Sequence, residues 1–84
     1  MNYVYILLCS DNTLYTGWTN NLQQRIKMHE ENRGAKYTRG RGPVQLVYFE
    51  EIEDKSAALK REYAIKRMTR VQKMKLIQSQ GKKK

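Results

Sequence analysis

Residues 3–9 (YVYILLC) form an unbroken apolar run rich in aromatic and β-branched side chains, the pattern of a strand covered on both faces. Ser10-Asp11-Asn12-Thr13 interrupts it with residues that tolerate a tight turn, and residues 14–19 (LYTGWT) resume strand chemistry. The two runs predict a hairpin. The period then lengthens: Leu22 and Ile26 stand four apart, the spacing of a helix stripe. Asn20 or Asn21 can cap that helix, with Gln23 three residues after Asn20 in a capping-box arrangement. The helix is predicted from about Leu22 to Asn32, ending at Arg33-Gly34. Residues 34–43 (GAKYTRGRGP) read as a basic, glycine-rich loop, and residues 44–53 (VQLVYFEEIE) as a third strand. Asp54 or Ser56 caps a second helix over about residues 57–68, with Ala58, Leu59 and Ile65 as its inward stripe. Thr69 and Gln72 form another capping box, opening a short third helix from about Arg70 to Gln78. The predicted order is β-β-α-β-α-α, without repeats or linkers.

Composition narrows the setting. The 84 residues, 39% of them apolar, are expected to form one domain over residues 1–80, followed by a flexible basic tail at 81–84. Cys9 is the sole cysteine, so no internal disulfide can form, which suits a reducing compartment. Its apolar neighbours Leu7, Leu8 and Leu14 mark it as core filling. No apolar run approaches the ~20 residues of a membrane span, and the N-terminus lacks the features of a signal peptide. A soluble, cytoplasmic protein is expected.

Charge adds a direction. Residues 1–54 carry six Lys/Arg against seven acids, whereas residues 55–84 carry eleven against Glu62 alone. A strongly basic third on a near-neutral body is the electrostatic footprint of a polyanion-binding protein. Gly81-Lys82-Lys83-Lys84 reads as a soluble tail.

Three side chains do not fit a purely structural account. At about 100° per residue, His29 lies about 20° and Arg25 about 60° from Leu22, so both border the buried stripe of the first helix. Glu62 falls near the middle of the inward stripe of the second helix. A carboxylate there must be paired or metal-bound, because desolvating a lone charge costs several kcal/mol. It is left with a salt bridge to Arg25, a surface pair with Lys66, or a hard cation such as Mg²⁺.

Tyr3-Val4-Tyr5 followed by Tyr15-Thr16-Gly17 resembles the two half-motifs of the GIY-YIG nuclease family. Arg25, His29 and Glu62 match further positions of the family's site, and the likeness to its small single-domain bacterial members spans nearly the whole chain. It implies an α/β fold of the α+β type: a small, mostly antiparallel three-stranded sheet flanked by three helices. It also implies metal-dependent cleavage of DNA phosphodiesters with one Mg²⁺ or Mn²⁺, in a family that includes repair and homing enzymes. By that resemblance Glu62 holds the metal, Arg25 neutralises charge on the phosphoryl oxygens, and Tyr5, Tyr15 and His29 position or deprotonate the attacking water. Gly17 is a structural motif residue. Tyr3 stands in place of the first motif's glycine. Many family members also carry an Asn downstream of the metal carboxylate. None follows Asn32 here, which leaves Gln72 as a substitute or the site incomplete.

The expected partner is DNA, with RNA or branched nucleic acid as variants, contacted through Lys36, Tyr37, Arg39, Arg41 and Lys66; no membrane is involved. Small members lack a separate DNA-binding domain, which implies weak or non-specific activity. The alternative is a non-catalytic nucleic-acid-binding module of the same fold. A geometric requirement separates a shared site from a coincidence of motifs. A two-residue loop at Asp11-Asn12 would pair Tyr5 with Trp18 and Leu8 with Tyr15, placing the two rings on opposite sheet faces. A shared site needs a loop of odd length or a bulge, for instance near Gly17.

Overall fold

The computed structural model describes residues 1–30 and 44–81, the side chains of His29 and Glu30 excepted. Three strands, β1 (Asn2–Cys9), β2 (Leu14–Thr19) and β3 (Val44–Ile52), and three helices, α1 (Leu22–Glu30), α2 (Lys55–Lys66) and α3 (Arg70–Gly81), follow the predicted order. The strands form one antiparallel sheet in the order β2-β1-β3. This is the expected α+β architecture. As the central strand, β1 is covered on both faces, which is why its apolar run is unbroken.

The faces divide by strand alternation. Val4 and Ile6 pack with Tyr48, Ala58 and Ile65, joined by Leu76 and Ile77 of α3. Tyr5, Leu7 and Cys9 pack with Val44, joined by Leu22 and Ile26 of α1. Cys9 is buried, as expected of a core residue. The pairing of β1 with β3 slips by one residue between Ile6 and Leu7, leaving Val47 unopposed. This bulge turns both Val47 and Tyr48 toward the α2–α3 side while Leu46 and Phe49 face α1, a local reversal of alternation.

Local hydrogen bonds set the helix ends. Asn21, not Asn20, caps α1: its Oδ1 accepts from the Gln24 amide at 3.2 Å. Asp54, not Ser56, caps α2 by accepting from the Ala57 amide at 2.9 Å, so α2 starts two residues earlier than the pattern predicts. The capping box at Thr69 and Gln72 forms in both directions, at 2.9 and 3.2 Å. Helix α3 outlasts its predicted end because Gln80 binds the backbone of Phe49 twice, accepting from N–H at 3.2 Å and donating to C=O at 2.7 Å. That pair ties α3 to the edge strand β3, whose free backbone groups would otherwise face water. The helix runs to Gly81, one residue into the predicted tail; residues 82–84 lie outside the described residues.

On α2 the inward stripe is narrower than predicted. Ala58 and Ile65 are fully buried, but Leu59 is 42% exposed. Arg61 and Glu62 flank the stripe instead, because positions three and four past Ala58 lie on its face and Leu59 lies about 100° away. Arg61 grips both carboxylate oxygens of Glu50 of β3, donating from Nε at 2.9 and 3.1 Å and from Nη2 at 2.9 Å, and Tyr48 donates its hydroxyl proton to the same carboxylate. Glu62 serves the other side.

Candidate active site

The hairpin settles the parity requirement. Cys9 and Thr13 close a three-residue loop: the Asn12 amide donates to Cys9 C=O at 2.9 Å and the Cys9 amide to Thr13 C=O at 2.9 Å. Asn12 takes the left-handed conformation, φ 68°, which suits a type I turn followed by an αL residue. Asp11 holds the turn by accepting from the Thr13 hydroxyl at 2.6 Å, and Arg70 of α3 donates to the Asn12 carbonyl at 2.8 Å. The odd loop pairs Tyr5 with Gly17 and Leu7 with Tyr15. Tyr5, Tyr15 and Gly17 therefore share one face, without a bulge between β1 and β2.

Gly17 shapes what lies above it. A Cβ at this position would sit 2.5 Å from the Tyr5 hydroxyl oxygen, 2.7 Å from its ring carbon Cζ and 3.1 Å from Cε2 of Tyr15. The Tyr5 ring thus crosses directly over the glycine, from the central strand toward the edge strand β2. The two tyrosine rings meet with centroids 6.4 Å apart and planes inclined at 47°. Tyr5 is 1% exposed, and Tyr15 is half-buried.

Arg25 and Glu62 complete the cluster electrostatically. Burial chiefly, then the Tyr15 hydroxyl and Glu62, hold the Tyr5 phenol well above its ordinary pKa, with Arg25 opposing them. Burial and Glu62 likewise raise Tyr15, again against Arg25. Both hydroxyls therefore keep their protons at neutral pH. The cation and the carboxylate act on the same pair of hydroxyls from opposite sides of the sheet, Arg25 from α1 and Glu62 from α2. The latter is feasible because β2 is an edge strand, against which α2 packs. Glu62 is 19% exposed at its side chain and pairs with Lys66 at 3.5 Å. Of the partners left open for it, the surface pair forms.

The remaining candidates separate. His29 lies on α1 one turn after Arg25, but its side chain is outside the described residues, as are Lys36, Tyr37, Arg39 and Arg41 in their entirety. Gln72 is engaged in the capping box, its Oε1 accepting from the Thr69 amide, so that atom serves a helix end rather than the tyrosine cluster. Among the described residues no three His, Cys, Asp or Glu side chains gather. A metal held at Glu62 would draw one ligand from this part of the chain and the rest from water and substrate. Mg²⁺, which keeps several waters and takes one or two carboxylates plus phosphate oxygens, tolerates such a donor set. Two features carried no sequence signal: the Tyr48–Glu50–Arg61 network and the position of Lys73 beside Lys66.

A family model described as the GIY-YIG catalytic domain matches residues 1–75. The chain belongs to that family. A UPF0213 protein of Clostridium perfringens is 65% identical over 81 residues, covering 96% of this chain and 87% of the relative. The solution NMR structure of a UPF0213 protein from Bacillus halodurans is 46% identical, covers 96% of this chain and 87% of its own, and superposes with a TM-score of 0.64. A solution NMR structure from E. faecalis, at 39% identity over 93% of this chain and 83% of its own, gives 0.63. The two segments that resemble the motif words, Tyr3–Tyr5 and Tyr15–Gly17, fall within the matched residues and lie on the paired strands β1 and β2. No helix among the described residues is long and apolar enough to cross a membrane.

Proposed function

We propose that this protein is a divalent-metal-dependent endonuclease that cleaves DNA phosphodiesters with weak or no sequence preference. One observation carries the reading: Tyr5 and Tyr15 share a sheet face over Gly17 while Arg25 and Glu62 both act on their hydroxyls. Membership of a nuclease domain family supports it. In a purely structural cluster there would be no need for two phenols, a guanidinium and a carboxylate to converge at a sheet edge.

Each residue has a role in this scheme. Glu62 holds one Mg²⁺ or Mn²⁺, which supplies polarisation of the phosphate and stabilisation of the leaving oxygen. Arg25 neutralises the charge that grows on the non-bridging oxygens, where a planar, permanently charged donor is most effective. Tyr5 and Tyr15, kept protonated by burial, donate hydrogen bonds that with His29 orient the attacking water. Lys66 lies beside Glu62 and, with Lys36, Arg39 and Arg41, neutralises flanking phosphates; Tyr37 stacks on a base. The basic last third of the chain attracts the polyanion to this edge.

The test is nicking of supercoiled plasmid in Mn²⁺ by wild type, Glu62→Gln and Arg25→Ala. Nicking that both variants lose supports the enzyme; equal nicking by all three refutes it. The ion pair between Glu62 and Lys66 favours a second reading, a non-catalytic module in which the carboxylate is neutralised internally. Salt-sensitive binding with no nicking in either Mg²⁺ or Mn²⁺ would decide for that module.

A further inference from the structure

Two hollows meet at Lys73. One, of about 340 Å³, is lined by Leu14, Tyr15, Thr16, Lys66 and Lys73. The other, of about 210 Å³, is lined by Thr13, Leu14, Arg70 and Lys73. Leu14, Tyr15 and Thr16 are consecutive on the edge strand β2, so the larger hollow lies at the sheet edge and includes Tyr15 of the tyrosine cluster in its lining.

Its lining suits an anion. Lys66 and Lys73 both line it. Among the described residues no carboxylate forms an ion pair with Lys73, whereas Lys66 pairs with Glu62. Burial, and then the charge of Lys66, push the Lys73 pKa below its ordinary value. Thr16 is 3% exposed, and its hydroxyl oxygen is buried without a hydrogen-bond partner. Such groups are normally satisfied. Two lysines and a hydroxyl without a partner, lining one hollow, have a common remedy in one tetrahedral oxyanion. Its several oxygens can accept from all three groups.

We propose that Lys66, Lys73 and Thr16 form a phosphate site that holds the backbone phosphate next along the strand to the one handled by Tyr5, Tyr15, Arg25 and Glu62. The placement beside the scissile phosphate rests on the nuclease reading; the affinity for phosphate does not. The pocket touches no base-reading group, so it fixes the strand's register without selecting sequence. It also ties α3, through Lys73, to the edge strand that carries Tyr15.

The test uses the full chain in EDTA, where no cleavage occurs. Inorganic phosphate is titrated at constant ionic strength, and the Thr16, Lys66 and Lys73 resonances are followed by NMR. The expected result is one saturable event shared by the three residues and weakened about tenfold in Lys73→Met, the loss typical of a charge-assisted contact. Scattered, non-saturating shifts across all lysines would overturn the site. Should Lys73→Met fold poorly by circular dichroism, Lys66→Met replaces it with the same expectation.

A second arm measures a single-stranded 12-mer by fluorescence anisotropy across salt concentrations. Weaker binding in Lys73→Met, with a salt slope lower by about one, supports a backbone phosphate as the occupant. Unchanged strand affinity beside lost phosphate binding would overturn that assignment in favour of free phosphate. Absence of nicking in Mn²⁺ would refute the nuclease reading while leaving both binding arms intact.

Discussion

Replacing Gly17 by Ala tests the geometry on which the site depends. The new Cβ would lie 2.5 and 2.7 Å from the hydroxyl oxygen and Cζ of Tyr5. Non-bonded carbons settle at about 3.5–4.0 Å, so the ring must retreat by roughly 1 Å. It is rigid and 1% exposed, hence the displacement passes into the packing around Leu7, Leu22 and Ile26. Overpacking of this kind costs about 1–3 kcal/mol. Ala also recovers about 0.5–1 kcal/mol relative to a glycine in a strand, because the unfolded chain loses freedom. The clash wins, leaving a net loss of about 1–2 kcal/mol. At about 2.1 cal/mol/K per residue of unfolding entropy, that lowers Tm by roughly 6–11 °C in a chain of 84 residues. Differential scanning calorimetry reads the stability, and plasmid nicking in Mn²⁺ reads the site. Nicking should fall by more than the unfolded fraction explains, since the Tyr5 hydroxyl leaves its position beside Tyr15. A Gly17→Ala protein with an unchanged or higher Tm and full nicking would show that the Tyr5 ring is not held against Gly17 and that its hydroxyl need not sit there for cleavage.

Other perturbations probe separate parts of the molecule. Arg61→Met should cost about 1–2 kcal/mol in urea denaturation by leaving Glu50 without its bidentate partner, whereas Arg61→Met with Glu50→Gln should cost less than either single change suggests. Burial would raise the Glu50 pKa, but hydrogen bonds from Arg61 and Tyr48 outweigh it and hold the carboxyl below its ordinary value. Its contribution to stability is present above the ordinary carboxylate pKa and lost as pH falls through the lowered one, which melting temperatures across acidic pH will show. The Tyr48 phenol is pushed up to about 12 by burial, then by Glu50, against Arg61. Its contribution is intact below the ordinary tyrosine pKa and disappears as pH rises toward about 12, so Tyr48→Phe should flatten the alkaline limb of the same curve. Asn12→Ala should destabilise by about 1 kcal/mol and Asn12→Gly should not, because φ 68° penalises a Cβ whose side chain cannot bond locally.

Local chemistry determined much of this protein in advance. Strand β1 follows from an unbroken apolar run, α2 and α3 from caps that act within three residues, and the family likeness from motif words that are contiguous in sequence. Short-range hydrogen bonding and side-chain periodicity need no knowledge of the fold. The helix ends drifted by a few residues where a distant partner intervened, as Gln80 does by binding Phe49. Tertiary structure alone decided which residues share a site. One residue of loop length sets whether Tyr5 and Tyr15 face each other, and no local rule distinguishes a two-residue from a three-residue turn at Asp11-Asn12. Leu59 and Glu62 illustrate the same limit on α2. By polarity the leucine has the better claim to the inward face, yet it is exposed while the carboxylate is half-buried beside Lys66. Lys73 is one of eleven basic residues in the last thirty. Only the edge of the sheet singles it out, because charge counts along a chain carry no information about which charges are forced together.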